Sequence, residues 1–193
     1  MPSASPPPAG PKVPLCPGVR YMVLRLVVTV RWALAPQGGD VRTDHPESRV
    51  VHKQPTAVLR ATLHRDEVQG WFRTAFDVVA EYLRRHGIAP CGFPFARYHI
   101  RSDGIFEVEA GFPVAVRIGG NRQIVPSSLP GGHVVVAWHV GTYEQLGDAY
   151  RALDDWLRAE HGAPAGDAWE VYHDPPNRAQ RWRTEVIQPF RLN

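Results

Sequence analysis

Residues 72–100, FRTAFDVVAEYLRRHGIAPCGFPFARYHI, decide the fold, because residues 146–174, LGDAYRALDDWLRAEHGAPAGDAWEVYHD, repeat their plan at an offset of 74 residues. The identical pairs are Ala75 with Ala149, Leu83 with Leu157, Arg84 with Arg158, Ala89-Pro90 with Ala163-Pro164, Gly92 with Gly166, and Tyr98-His99 with Tyr172-His173. The matches run in order and without a gap. Such self-similarity predicts an internal duplication.

Each repeat lies in a longer stretch with the order strand, helix, strand, strand. Apolar residues recur every three or four positions from about Asp66 to His86, which is the pattern of one buried helical face, and Gly87 is a natural helix end. A second helix is predicted over residues 143–161, with its end at Gly162. Runs of β-branched and aromatic residues predict strands over residues 58–63, 95–101, 105–116, 133–140, 169–173 and 182–187.

Two connections complete this pattern. Ser102-Asp103-Gly104 is the predicted turn between the two strands that follow the first helix. Residues 119–132 are rich in Gly, Ser and Pro and are predicted to form a loop between the repeats.

These elements predict an α+β domain over residues 49–193, built from tandem duplicated β-α-β-β units at residues 49–118 and 130–193. The expected architecture is an antiparallel sheet with both helices on one face. We expect a ligand cleft on the other face, at the pseudo-twofold axis, because junctions of this kind are favoured ligand sites.

Residues 1–48 are predicted to be a disordered, proline-rich leader. Dense prolines between residues 2 and 17 disfavour both helix and sheet. Residues 23–33 have the character of a single strand, and residues 36–48 are loop-like. We favour a dispensable extension over a functional arm, and the sequence leaves open whether the leader belongs to the native protein.

The composition argues against several classes of protein. Residues 49–193 carry 17 basic groups (22 less five) and 16 acidic groups (19 less three), so there is no basic block for a phosphate backbone. Two cysteines are too few for a disulfide framework or a thiolate zinc site, which fits a reduced, cytoplasmic location. Arginines interrupt the apolar residues 19–35, so neither a membrane span nor a signal peptide is expected.

Short motifs in a fixed order link the chain to a known family. They are Gly92-Phe93-Pro94-Phe95, Gly111-Phe112-Pro113-Val114, Leu129-Pro130-Gly131-Gly132, His139-Val140-Gly141-Thr142-Tyr143, Glu170-Val171-Tyr172 and Gln188-Pro189-Phe190. Over about residues 49–193 the chain resembles the GyrI-like, or transcription-activator effector-binding, domain. The resemblance implies tandem units around a cleft, binding of lipophilic and often cationic or aromatic compounds, and a buried glutamate that maps onto Glu170. Thr142 departs from the family, where proline is more frequent.

Glu170 is the predicted centre of the site. Its counterpart in the first repeat is Ala96, so one copy has a carboxylate that the other lacks. Strand alternation puts Glu170 and Tyr172 on one face. A desolvated carboxylate attracts a cation, nearby aromatic rings add cation–π contacts, and a pKa raised by burial suits a general base. The alternative is an edge glutamate in water, or one paired with an arginine such as Arg97 or Arg183.

The aromatic residues of the motifs complete the predicted site. The predicted ligand-binding residues are Glu170, Tyr172, Tyr143, Phe95, Tyr98, Phe112, Trp138 and Trp182. Ordinary core packing is the alternative for each aromatic residue. If the protein is an enzyme, Glu170 and Tyr143 are the predicted catalytic residues. No cofactor is expected. No metal is expected either, since His133 and His139 would lie about 20 Å apart at roughly 3.3 Å per strand residue, which is too far for two ligands of one ion.

The resemblance to this family leaves three functions open. The favoured one is a stand-alone protein that binds lipophilic, aromatic or cationic compounds without changing them, for drug sensing or sequestration. The alternative is a cofactor-free hydrolase that opens cyclopropane-bearing DNA-alkylating compounds, with Glu170 activating water. The third is a gyrase-inhibitor-like protein with gyrase or a regulator as its partner. No membrane partner is expected and, because no helix-turn-helix pattern is present, no direct nucleic-acid partner.

Overall fold

The computed structural model describes residues 42–43, 45–174 and 182–192. The elements are β1 (Arg42–Thr43), β2 (Glu47–Val51), β3 (Gln54–Leu63), α1 (Val68–Arg85), β4 (Phe95–Ile100), β5 (Phe106–Pro113), β6 (Ile124–Leu129), β7 (Gly132–Gly141), α2 (Gly147–Ala159), β8 (Gly162–Pro164), β9 (Trp169–Tyr172) and β10 (Trp182–Leu192). The predicted helices and strands therefore lie close to where the periodicity placed them.

The strands form one antiparallel sheet in the order β1-β7-β10-β9-β4-β5-β3-β6. β2 also pairs with β7, and the short β8 pairs with β10. Strand β4, from the first half of the chain, lies beside β9 from the second half, with Ala96 opposite Glu170. The predicted α+β class with a large antiparallel sheet is confirmed.

Both helices lie on the same face of this sheet. Helix α1 packs Val79 and Leu83 on Ala57 of β3 and Val114 beyond β5, and further along it packs Ala75 on Ala96. Helix α2 packs Leu153 and Leu157 on Val135 of β7 and Val186 of β10. Burial of these apolar stripes is what stabilises two helices that would be marginal in isolation.

The second helix differs from its prediction at both ends. Residues Tyr143–Gln145 form a 3-10 turn, and the α-helix itself begins at Gly147. After it, His161 adopts a φ of 52°, while Gly162, the predicted helix end, opens β8. The left-handed residue that ends the helix is thus a histidine.

The face without helices is filled rather than open. Val58 of β3, Phe95 of β4, Val136 of β7 and Ile187 of β10 belong to one buried hydrophobic cluster together with Trp169 of β9. We had expected the ligand cleft on this face, but hydrophobic packing occupies its middle.

Strand pairing extends beyond the predicted strands. The predicted loop 119–132 contains β6, which pairs with β3 along its whole length. Glu47 and Ser48, assigned to the leader, begin β2 on the edge of β7, and Arg42–Thr43 also pairs with β7. The predicted disorder of the leader and the strand predicted over residues 23–33 lie outside the described residues.

One further finding bears on the sequence predictions. No helix in the described part of the chain is long and apolar enough to cross a membrane. The cytoplasmic location stays a prediction.

Candidate functional site

Glu170 lies in the middle of the sheet, on the face that carries the helices. Its backbone is flanked by Ala96 of β4 and Val186 of β10. Residues paired across strands share a face, so the side chains of Ala96 and Val186 lie on the same face as the carboxyl group. Glu170 is only 6% exposed, which excludes the interpretation of an edge glutamate in water.

Three tyrosine hydroxyls donate hydrogen bonds to this carboxylate. Tyr150 of α2 donates to Oε1 at 2.8 Å. Tyr98 of β4 and Tyr172 of β9 donate to Oε2 at 3.1 and 2.6 Å, and the hydroxyls of these two tyrosines are themselves 3.1 Å apart. The carboxylate thereby ties α2 to the two central strands.

The electrostatics of the site are set by burial. Burial raises the pKa of Glu170 above its usual value, and the hydrogen bonds from Tyr172, Tyr150 and Tyr98 counteract this only in part. Burial, followed by the charge of Glu170, raises the pKa of Tyr98, Tyr150 and Tyr172 well above 10.0. These tyrosines therefore stay protonated as hydrogen-bond donors at neutral pH.

No basic side chain of the described ranges pairs with Glu170. The two arginines considered as partners bind other carboxylates: Arg97 Nη2 lies 2.6 Å from Glu109, and Arg183 Nε lies 2.8 Å from Asp174. Burying a carboxylate that has only neutral hydrogen-bond donors costs free energy of folding. Such groups are found preferentially at functional sites.

Aromatic rings surround the carboxylate and its tyrosines. From α1, the rings of Phe72 and Phe76 stack on each other at 5.6 Å and meet the Tyr172 ring at 6.5 and 5.7 Å. On the other side, Tyr143 contacts Tyr172 edge-on at 5.7 Å and stacks on Trp182 at 4.9 Å. We call Glu170, its three tyrosine donors and these four rings the glutamate–aromatic cluster.

Trp182 adds an unusual polar group to the glutamate–aromatic cluster. The residue is 8% exposed, and its buried indole Nε1 has no hydrogen-bond partner among the residues that the structure describes. An unpaired buried donor is costly and calls for an explanation. One explanation is an acceptor supplied by a ligand.

The structure brings together most of the predicted site residues but not all. Tyr98 and Tyr172 contact Glu170, Tyr143 and Trp182 belong to the surrounding rings, and Phe112 contacts the cluster through Phe76 at 6.2 Å. The two exceptions are Phe95 and Trp138. Phe95 is buried on the opposite face of the sheet, and Trp138 pairs with Glu185 on that same opposite face, where its ring contacts His173 at 4.7 Å.

Three residues of the site were not predicted. They are Tyr150, which donates to Glu170, and the ring pair Phe72 and Phe76. A signal for them existed, since Phe72 matches Leu146 and Phe76 matches Tyr150 in the repeat, all on the buried faces of the two helices. These matches were interpreted as core packing. Periodicity shows that a helix face is buried, but it does not distinguish a face that packs on the hydrophobic core from one that packs on a binding site.

Metal binding has no geometric support in the parts of the chain that are described. No group of three or more His, Cys, Asp or Glu side chains there is placed to hold an ion. The chemistry open to the glutamate–aromatic cluster is instead attraction of a positive charge to a buried anion, or proton abstraction by a carboxylate of raised pKa.

Sequence comparison gives one match. The model of the GyrI-like small molecule binding domain matches residues 46–191, most of the chain. No curated protein matches the chain by sequence.

Solved structures share the fold at low identity. A structure of EcmrR in complex with DNA superposes with a TM-score of 0.69 at 17% identity over 78% of this chain, which spans 58% of the EcmrR chain. The EcmrR C-terminal domain gives 0.66 at 17% over 77% of this chain and 98% of that domain. A hydrolase from Listeria innocua gives a TM-score of 0.56 at 11% identity, over 76% of this chain and 91% of that chain. The structure of SAV2435 bound to tetraphenylphosphonium gives a TM-score of 0.56 at 12% identity, over 76% of this chain and 93% of that chain.

Proposed function

Because the chain belongs to the family of GyrI-like small-molecule-binding domains, we propose that it binds lipophilic, aromatic and cationic compounds at Glu170, for sensing or sequestration. One observation carries the proposal. Glu170 is a buried carboxylate, held by three neutral tyrosine donors, with no cationic partner among the described residues.

A cationic ligand would supply what this arrangement lacks. Burying an anion without a counter-charge costs free energy, and a cation of the ligand recovers part of that cost. A carboxylate has about four lone-pair positions, of which the tyrosines occupy three. The rings of Phe72, Phe76 and Tyr143 offer apolar and cation–π contacts to the rest of the ligand.

We further propose that the domain arose by tandem duplication, with a pseudo-twofold axis between β4 and β9. At the offset of 74 residues Ala96 is equivalent to Glu170, and these two residues face each other across the strands. On either side Phe95 faces Val171 and Arg97 faces Trp169. At the same offset Phe95 is equivalent to Trp169 and Arg97 to Val171, so these two pairs are related by an axis between Ala96 and Glu170. A ligand site on that axis would have two similar walls and a single carboxylate.

Binding of tetraphenylphosphonium tests the main proposal. This lipophilic cation is the ligand in the SAV2435 structure, and we expect it to bind this chain with an affinity in the micromolar range by calorimetry. Glu170→Gln keeps the shape and removes the charge, so the affinity should fall about 10- to 100-fold, equivalent to about 1.4–2.8 kcal/mol. Glu47→Gln, at an exposed position on β2, is the matched control. Equal binding by the wild type and Glu170→Gln would refute the proposal.

A hydrolase is the second candidate, and the raised pKa of Glu170 favours it. In that role Glu170 would take a proton from water as the water oxygen bonds to a carbon of the strained electrophilic ring. One ring bond would break, its electron pair would pass to the rest of the substrate, and the substrate would take up the proton, while Tyr143 orients it. Incubation with a cyclopropane-bearing alkylating compound tests it. Ring-opened product with the wild type but not with Glu170→Ala would establish catalysis, and intact compound with both would leave binding alone.

The gyrase-inhibitor function has a separate test. A DNA supercoiling assay with gyrase and excess protein would show inhibition if this function is real. Unchanged supercoiling would remove it.

A further inference from the structure

A cavity of about 750 Å³ lies at the β3–β6 edge of the sheet. Its polar side chains are Lys53, Arg97, Arg117, Ser127 and Ser128. Three prolines, at positions 55, 126 and 130, line the rest together with Gly131. We call it the basic cavity.

The charge of the basic cavity is one-sided. Among the described residues that line it, three carry cationic side chains and none is acidic. The Arg97 guanidinium is held in place by two contacts. Its side chain is 23% exposed, Nη2 lies 2.6 Å from Glu109, and Nη1 donates to the Ser128 carbonyl at 3.2 Å. A guanidinium held in place in this way loses little freedom when it binds a ligand.

Glu109 does not neutralise this region. The same carboxylate also pairs with Arg60 at 2.6 Å and accepts the Ser127 hydroxyl at 3.0 Å. One negative charge is thus shared between two guanidinium groups. Lys53 and Arg117 add to the positive excess.

We propose that the basic cavity binds a small organic oxyanion, with a phosphate or carboxylate group between Arg97, Arg117 and Lys53. Guanidinium and ammonium groups bind such oxygens through charge-assisted hydrogen bonds. The proline walls provide apolar contact, so an anion with a hydrocarbon or ring portion fits better than an inorganic ion.

The basic cavity is separate from the glutamate–aromatic cluster. Ala96 and Arg97 are consecutive in β4, so they point to opposite faces of the sheet. Ala96 faces Glu170, which favours a cation, and Arg97 faces the basic cavity, which favours an anion. The protein therefore has two sites of opposite charge preference.

Titration with phenyl phosphate, benzoate, inorganic phosphate and the neutral analogue phenol tests the proposal. The ionic strength is held constant with chloride, since exposed cations are screened by salt. We expect phenyl phosphate and benzoate to bind, with a dissociation constant of about 1 mM or below, inorganic phosphate to bind more weakly, and phenol not to bind.

Two double variants with the same loss of charge locate the site. Lys53→Gln with Arg117→Gln removes two exposed cations of the basic cavity and should weaken phenyl phosphate binding about tenfold. Arg65→Gln with Arg122→Gln removes two exposed cations elsewhere and should leave binding unchanged. Glu170→Gln should also bind phenyl phosphate like the wild type.

Four outcomes would overturn the proposal. They are no binding of either organic anion to the wild type, equal weakening in both double variants, loss of binding in Glu170→Gln, and binding of a short oligonucleotide but of no small anion. Thermal unfolding of each variant verifies that it is folded. None of these results depends on whether a cation binds at Glu170.

Discussion

Replacement of Glu170 by glutamine should stabilise the ligand-free protein at neutral pH. Glu170 is 6% exposed and, within the described ranges of the chain, has only tyrosine hydroxyls as side-chain partners. Its pKa is raised by burial in spite of those hydrogen bonds, so folding is less favourable for the charged form than for the neutral one. Glutamine keeps the shape and one acceptor oxygen and removes the charge.

The expected gain in the free energy of unfolding at pH 7 is about 1–3 kcal/mol, the usual cost of a buried polar group with incomplete compensation. For a domain of this size, this corresponds to a rise in Tm of roughly 2–4 °C for each kcal/mol. The measurements are urea denaturation and thermal unfolding without ligand.

The gain should depend on pH. A carboxyl group whose pKa is higher in the folded than in the unfolded chain contributes stability below the unfolded pKa, and this is lost as the pH rises through the folded pKa. The wild type should therefore lose stability relative to Glu170→Gln between pH 4 and pH 7. Below the ordinary glutamate pKa of 4.5 the two proteins should converge in stability.

Two results would refute this reasoning. One is a Glu170→Gln variant that is less stable than the wild type at pH 7. The other is a difference in stability that stays constant from pH 4 to pH 7. Glu47→Gln, on the exposed strand β2, is the control and should change neither the stability nor its pH dependence.

Two further predictions concern hydrogen bonding and close packing. Tyr172→Phe removes the 2.6 Å hydrogen bond to the charged Glu170, and the free energy of unfolding at pH 7 should fall by about 1.5–3 kcal/mol in urea denaturation; unchanged stability would show that this contact contributes nothing. Gly111→Ala would place a Cβ 1.9 Å from the carbonyl oxygen of Ala57, so stability should fall by about 3 kcal/mol or more. Gly70→Ala is the matched control, because open space surrounds that helical position, and it should gain about 0.5–1 kcal/mol; losses of similar size at both glycines would contradict the argument.

The sequence by itself determined the local elements. The apolar spacing in the two helices depends only on 3.6-residue periodicity. Helix α1 lies within two residues of its predicted ends, and α2 lies inside its predicted range but is shorter at both ends. The turn at Ser102-Asp103-Gly104 was predicted from local chemistry, and Gly104 has the positive φ of 78° that favours glycine there. The buried glutamate was predicted through family resemblance, and Glu170 is buried.

Strand pairing at the edges was not predictable in the same way. Strand β6 contains Pro126 and two serines, a composition that predicts a loop. It is a strand because β3 offers a free edge to it, and β2 is a strand because β7 does the same. Hydrogen bonds to a distant strand can outweigh weak local preference.

Only the tertiary structure decided which side chains meet at Glu170. Alternation along a strand predicts that Phe95 and Ala96 point to opposite faces, but not that Ala96 faces Glu170. That depends on the register between β4 and β9. Tyr150 reaches the carboxylate because α2 crosses the same face of the sheet, and Trp138 does not because its position in β7 points away from it. Periodicity encodes which face of an element is buried, whereas the partners on that face are fixed by contacts between segments far apart in the chain.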